Sequence, residues 1–134
     1  MITETENRVD KITLQKITKD FAHRCVKLCS SLPRNWLGFH IRSQLMRCAT
    51  SVAANYRAAC ISQTKPSFIS KIRIVVEEAD EASFWIEFIV GEKLLTEKQC
   101  SELLQEAKEL TCIFAASQKT ARGHDKKQEI GNCQ

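Results

Sequence analysis

The chain has 134 residues, of which 43% are hydrophobic and 27% charged, and a formal net charge of +4; this length suits one domain that buries about two-thirds of the surface its unfolded form exposes. Its longest apolar stretches, 83–90 and 49–54, fall far short of the ~20 residues needed to cross a bilayer, which excludes a membrane span. The polar start, with Glu4 and Glu6, lacks the basic-then-apolar pattern of a secretion signal, so the expected location is the cytoplasm.

Residues 1–9 are expected to form a mobile N-terminus. The first helix is predicted over 10–31, where Ile12, Ile17, Phe21, Cys25, Leu28, Cys29 and Leu32 recur at steps that fit the 3.6-residue period. Pro33 stops it, because proline has no N–H to donate and disfavours helical geometry in the residue before it.

A second helix is predicted over 37–63, with Ile41, Leu45, Cys48, Val52, Tyr56 and Ala59 on one stripe. Its small residues, Ala49, Ser51, Ala53, Ala54, Ala58 and Ala59, let neighbouring axes approach toward the lower end of the usual ~8–10 Å. The third helix is predicted over 66–90. Pro66 suits its first turn, Thr64 is the better cap, and Gly91 supplies a stop. Its buried stripe runs through Phe68, Ile72, Val75, Ala79, Ala82, Ile86 and Ile89.

Thr96 and Gln99 have the spacing of a capping box, which opens a fourth helix over 97–120. Residues 123–134 show no apolar period and are expected to be a mobile tail, with Cys133 as an exposed thiol. Connections this short force successive helices to run antiparallel. The expected fold is therefore an all-α, up-down-up-down four-helix bundle in one domain.

The chemistry-bearing residues do not assemble into a catalytic pattern. The seven cysteines include no C-x-x-C pair, and Cys25 and Cys29 lie one turn apart on the apolar face, where thiols pack as small hydrophobes. A carboxylate-bridged metal site needs Glu-x-x-His, which is absent, and His23, His40 and His124 are isolated. The four glycines are scattered, so neither a P-loop nor a dinucleotide fingerprint can be built. No enzyme activity, metal or cofactor is expected.

The second helix carries Gln44, Arg47, Ser51 and Asn55 along one flank. Three readings of this flank stand side by side: plain surface, ligand binding and a structural role. The last is preferred, because Gln44 and Asn55 sit among small residues where close helix approach buries them, and a buried amide must be hydrogen-bonded and then fixes register between helices or subunits. Asn55 is predicted to bond to an adjacent helix. Arg47 is predicted to pair with Glu78 or Glu81 of the third helix, since its planar guanidinium suits a two-pronged bond to carboxylate.

Charge is uneven along the chain: residues 1–64 hold 10 Lys/Arg against 4 Asp/Glu, and residues 65–134 hold 10 against 12. Two uses compete. A basic face with Arg42, Arg47, Arg57, Lys65 and Lys71 is a candidate nucleic-acid contact, through phosphates. Alternatively, the basic side of one subunit docks on the acidic side of the next, a heterologous contact that can close into a ring.

The run Gln44-Leu45-Met46-Arg47, continued by Ser51-Val52-Ala53-Ala54-Asn55, resembles the second-helix signature of the bacterial four-helix-bundle family encoded in intervening sequences of 23S ribosomal RNA genes. Phe68-Ile69-Ser70-Lys71-Ile72 and Glu78-Ala79-Asp80-Glu81, followed by Trp85-Ile86-Glu87, stand where that family has its next motif. The resemblance covers residues 10–120. One departure is Arg57-Ala58-Ala59, where many members carry Glu soon after the Asn. The resemblance implies a protomer that assembles into a homopentameric ring. It also implies kinship in fold with the accessory protein of diversity-generating retroelements, which binds nucleic acid and a reverse transcriptase. The family name supplies no activity; the charge asymmetry together with the implied ring assembly leads to the expected function, a non-enzymatic homo-oligomeric scaffold or adaptor with RNA or DNA as a candidate partner through the basic face. The alternatives are a protein-only adaptor for a neighbouring gene product and a small ligand-binding or enzymatic bundle.

Overall fold

The computed structural model describes residues 4–123. Four helices account for nearly all of them: α1 Glu4–Cys29, α2 Trp36–Cys60, α3 Lys65–Gly91 and α4 Glu97–Ala121. Sequence neighbours pack side by side, α3 about equally with α2 and α4, while among the described residues α1 and α4 close the ring only sparsely. The arrangement is the expected antiparallel bundle. α1 begins at Glu4, ahead of Asp10, so 4–9 are helical where no helix was expected. The expected tail, with His124 and Cys133, lies outside the described residues.

Each connection is explained by local chemistry. The side chain of Asn35, a cap the apolar pattern does not reveal, accepts from Gly38 N at 2.9 Å and opens α2. Gly38 is required there, because a Cβ on it would stand 1.9 Å from the Pro33 carbonyl oxygen. Thr64 caps α3 by accepting from Ser67 N at 3.2 Å. Thr96 and Gln99 form the reciprocal capping box of α4.

The end of α3 departs from expectation. Gly91 is the last helical residue, and Lys93, at φ 58, takes the left-handed position. Leu94 N donates to Ile89 O at 3.0 Å and Lys93 N to Val90 O at 2.9 Å, the two bonds of a Schellman motif. The hydrogen-bond pattern, not the glycine, sets the stop.

The core runs the length of the bundle, with Phe21, Cys25, Leu45, Val52, Ile72, Ile86 and Phe114 fully enclosed. Tyr56 and Phe114 meet at 4.9 Å between ring centroids, within the range in which aromatic pairs add to burial. Among the described residues, grooves open on the outer seams between α1 and α2, α3 and α4, and α1 and α4.

Candidate functional site

The α2/α3 seam carries a polar network built on Arg47. Its Nη1 donates to Glu78 Oε1 at 3.2 Å, its Nη2 donates to Glu81 Oε2, and Gln44 Oε1 accepts from the same nitrogen at 3.5 Å. Trp85 Nε1 donates to Glu81 Oε2 at 3.0 Å. The predicted pairing of Arg47 with α3 carboxylates thus forms, with both Glu78 and Glu81. It forms in a wetter place than expected, since the Arg47 side chain is 47% exposed. The hydrogen bond from Arg47, then that from Trp85, holds the Glu81 carboxyl below its ordinary range, and the bond to Glu81 raises Arg47.

Asn55 requires a correction. It is half-buried, and its Nδ2 donates to Ser51 O at 3.0 Å and to Ser51 Oγ at 2.8 Å, one turn back on its own helix. The amide is satisfied locally, so within one protomer it does not fix register against a neighbour.

The five cations expected to share one basic face are divided among different places. Arg47 is met by the α3 carboxylates, on one flank of α2, whereas Arg57 lines the groove between α2 and α1. Arg42 is half-buried with its guanidinium 5.3 Å from the Phe39 ring centre, and 15 residues of helix separate it from Arg57, about 22 Å. Lys65 is exposed at the first residue of α3, and Lys71 is half-buried further along it. The helical period places Arg47 and Arg57 on different flanks, which a count of charges along the chain cannot register.

Opposite charges meet inside the protomer at several seams. Arg24 of α1 pairs with Glu106 and Glu102 of α4, Arg47 with Glu78 and Glu81, and Lys108 of α4 with Glu87 of α3 at 3.2 Å. The α1/α2 seam is different. There a groove of about 660 Å³ is lined by Ala22, Val26, Ala53 and Ala54 and flanked by Lys16, Lys19, His23 and Arg57, with no carboxylate among its lining residues. Lys16, Lys19 and His23 at steps of three and four were the sequence signal for it.

A second feature missed by periodicity is an aromatic cluster of Phe84, Trp85 and Phe88 near the end of α3, met by His40 of α2, beside further exposed aromatics at the start of α2. Trp36, 80% exposed, lies with Phe39 on α2, and Phe84 and Phe88 are exposed one turn apart on α3. The Phe84 ring lies 4.9 Å from Trp85 and 5.8 Å from Phe88, while His40 meets Trp85 edge-on at 5.6 Å. Phe84 and Phe88 lie outside the buried stripe, which was the available signal.

Cys25, Cys29 and Cys48 are enclosed in the core and are poor nucleophiles there. Burial, the largest cause in each case, pushes the Cys25 thiol far up, Cys48 to about 12 and Cys29 to about 11, with the Arg42 charge opposing the rise at Cys29. Such thiols carry almost no thiolate at neutral pH. Among the described residues, no group of three His, Cys, Asp or Glu side chains is placed to hold a metal ion, and no helix is long and apolar enough to cross a membrane.

Comparison with known proteins agrees with this architecture. The solved structure of a protein with unknown function from the S23 ribosomal protein family of Bacteroides thetaiotaomicron is 28% identical, with a TM-score of 0.73, covering 78% of this chain and 97% of that chain. No curated protein matches the chain. Residues 10–116 match the family described as 23S rRNA-intervening sequence protein. Those residues span all but the first turns of α1 and the last turn of α4, and include the Arg47–Glu78–Glu81 network, so the chain belongs to the 23S rRNA-intervening sequence protein family.

Proposed function

We propose that the protein is a non-enzymatic homo-oligomeric scaffold or adaptor that works as a ring of five copies. The observation that carries this reading is the amount of large apolar surface left uncovered on separate sides of one protomer: Trp36, Phe39, Phe84 and Phe88 on α2 and α3, Ile12 and Val26 on α1, and Ile113 on α4. Contiguous exposed apolar surface marks association sites. A ring requires two different surfaces per protomer, since each copy must both offer and receive a contact. The five-fold number rests on the sequence resemblance described above. Sedimentation equilibrium or light scattering at micromolar concentration tests it: a mass five times that of the 15.3 kDa chain is expected, and a monomer overturns it.

A second reading is contact with RNA or DNA. It is favoured by Lys65, Lys71 and Arg73 near the start of α3, which form no ion pair among the described residues. Phosphate contacts release counterions, so binding of this kind weakens steeply as salt rises. Filter binding with single- and double-stranded RNA and DNA at two salt concentrations tests it. Retention that falls with salt is the expected result; no retention at low salt leaves the protein-only adaptor.

A further inference from the structure

We infer that the groove between α1 and α2 is the receiving half of a contact between copies, and that its occupant is the outer ridge of α3 from a second copy of this chain. The inference rests on the oligomeric reading above and supplies the surfaces for it. The groove is lined by the small residues Ala22, Ala53 and Ala54, Ala22 buried and Ala54 exposed, and they let a helix approach closely. Its cations Lys16, Lys19 and Arg57 form no ion pair within the protomer among the described residues.

The ridge has the complementary character. Glu77, Asp80, Phe84, Glu87 and Phe88 are all exposed and recur at helical spacing along α3. Phe84 and Phe88 are rigid anchors of the kind that dominate interface energetics. Glu77 and Asp80 form no ion pair within the protomer among the described residues. The two surfaces also match in length: the ridge from Glu77 to Phe88 and the α1 wall from Gln15 to Val26 each span 11 residue steps, about 16 Å of helix.

Nucleic acid fits the groove less well. A single strand is held by stacking its bases on aromatic side chains, and the groove lining contains none apart from the His23 imidazole, its walls being otherwise Ala, Val, Thr, Gln and cations. An acidic helix bearing two phenylalanines uses both the small residues and the cations. Because groove and ridge are different surfaces, the contact is heterologous: every copy receives one α3 and offers its own.

The test uses the full chain with two sets of substitutions at exposed positions, Lys19→Glu with Arg57→Glu in the groove and Phe84→Ser with Phe88→Ser on the ridge. Each doubly substituted protein should lose the parent's oligomeric mass, with the dissociation concentration rising on the order of tenfold or more. Each should keep the parent's helical circular dichroism. An equimolar mixture should then form two-copy complexes and nothing larger, because only one intact groove and one intact ridge remain per pair. Ala54→Trp, which fills the groove without touching charge, should also dissociate the assembly. An unchanged mass in the groove or ridge variants places the interface elsewhere and overturns the inference while leaving the oligomer intact. Loss of RNA retention with unchanged mass makes the groove a phosphate site and overturns it as well. A monomeric parent removes both this inference and the reading it rests on.

Discussion

Trp85 donates its indole N–H to Glu81 Oε2 at 3.0 Å across one turn of α3, and Arg47 of α2 reaches the same oxygen. The indole therefore helps fix the carboxylate in the position where it receives the guanidinium, and Glu78 occupies a second donor of the same fork. Arg47→Met leaves the two carboxylates facing each other without their cation. Half-exposed pairs contribute little singly, but a guanidinium shared between two carboxylates forms a network at the upper end of that range, so a loss of about 1 kcal/mol is expected. Arg73→Met, at an exposed position without an ion pair among the described residues, is the control and should melt within about 0.5 kcal/mol of the parent. Equal denaturant midpoints for the two variants would mean that the network adds nothing.

Acid should remove that contribution selectively. Glu81 is held below its ordinary range when folded, so its share of stability is fully present above the unfolded carboxylate pKa of about 4.3 and is lost as pH falls through the lower folded value. Glu81→Gln should be less stable than the parent at pH 7, and the gap should narrow below about pH 4. Thermal melts of both proteins across that range check it; a gap independent of pH would assign the loss to packing instead.

Gly38 provides a case where helix propensity and space have opposite signs. Replacing a helical glycine with alanine ordinarily stabilises by about 1 kcal/mol, but here the new methyl would stand 1.9 Å from backbone of the preceding loop. Overpacking of this kind costs about 1–3 kcal/mol. Gly38→Ala should therefore lower the melting temperature, whereas Gly91→Ala, with nothing near its position, should raise or preserve it. The comparison of the two melts is the measurement.

Thiol reactivity should be strongly suppressed in the folded protein. Cys25, Cys29 and Cys48 are fully or almost fully enclosed, and burial raises the pKa of each. At pH 8, peptide mapping after brief treatment with iodoacetamide should find these three unmodified, and the same treatment in denaturant should alkylate them. Modification of Cys25 in the native state at the denatured rate would contradict the packing described for α1.

The fold was readable because apolar spacing and local caps agree: the stripe of α2 marks its buried face, and the Thr64 cap and the Thr96–Gln99 box mark where α3 and α4 begin. Arg47 was legible for a related reason, since a long planar cation beside an apolar stripe finds carboxylates on the next helix. Asn55 was not. Its amide had two ways to be satisfied, and the nearer, a turn back to Ser51, costs no approach by another helix. The separation of the cations was not legible because summed charge has no direction, whereas the helical rotation between Arg47 and Arg57 puts them on separate seams. Exposed Phe84 and Phe88 escaped because an apolar residue off the buried stripe carries no label that separates a core position from an interface.

The sparse seam between α1 and α4 gives the first helix a distinct thermodynamic position. Among the described residues α1 is attached chiefly along α2, so a sub-global opening that frees α1 breaks fewer helix–helix contacts than one that frees α2 or α3. A ligand that binds both walls of the α1/α2 groove binds only when α1 is in place, and by linkage it closes that opening in proportion to its concentration. If the occupant is another copy of the chain, closure of the first helix and subunit association become a single mass-action equilibrium, in which dilution alone loosens the bundle.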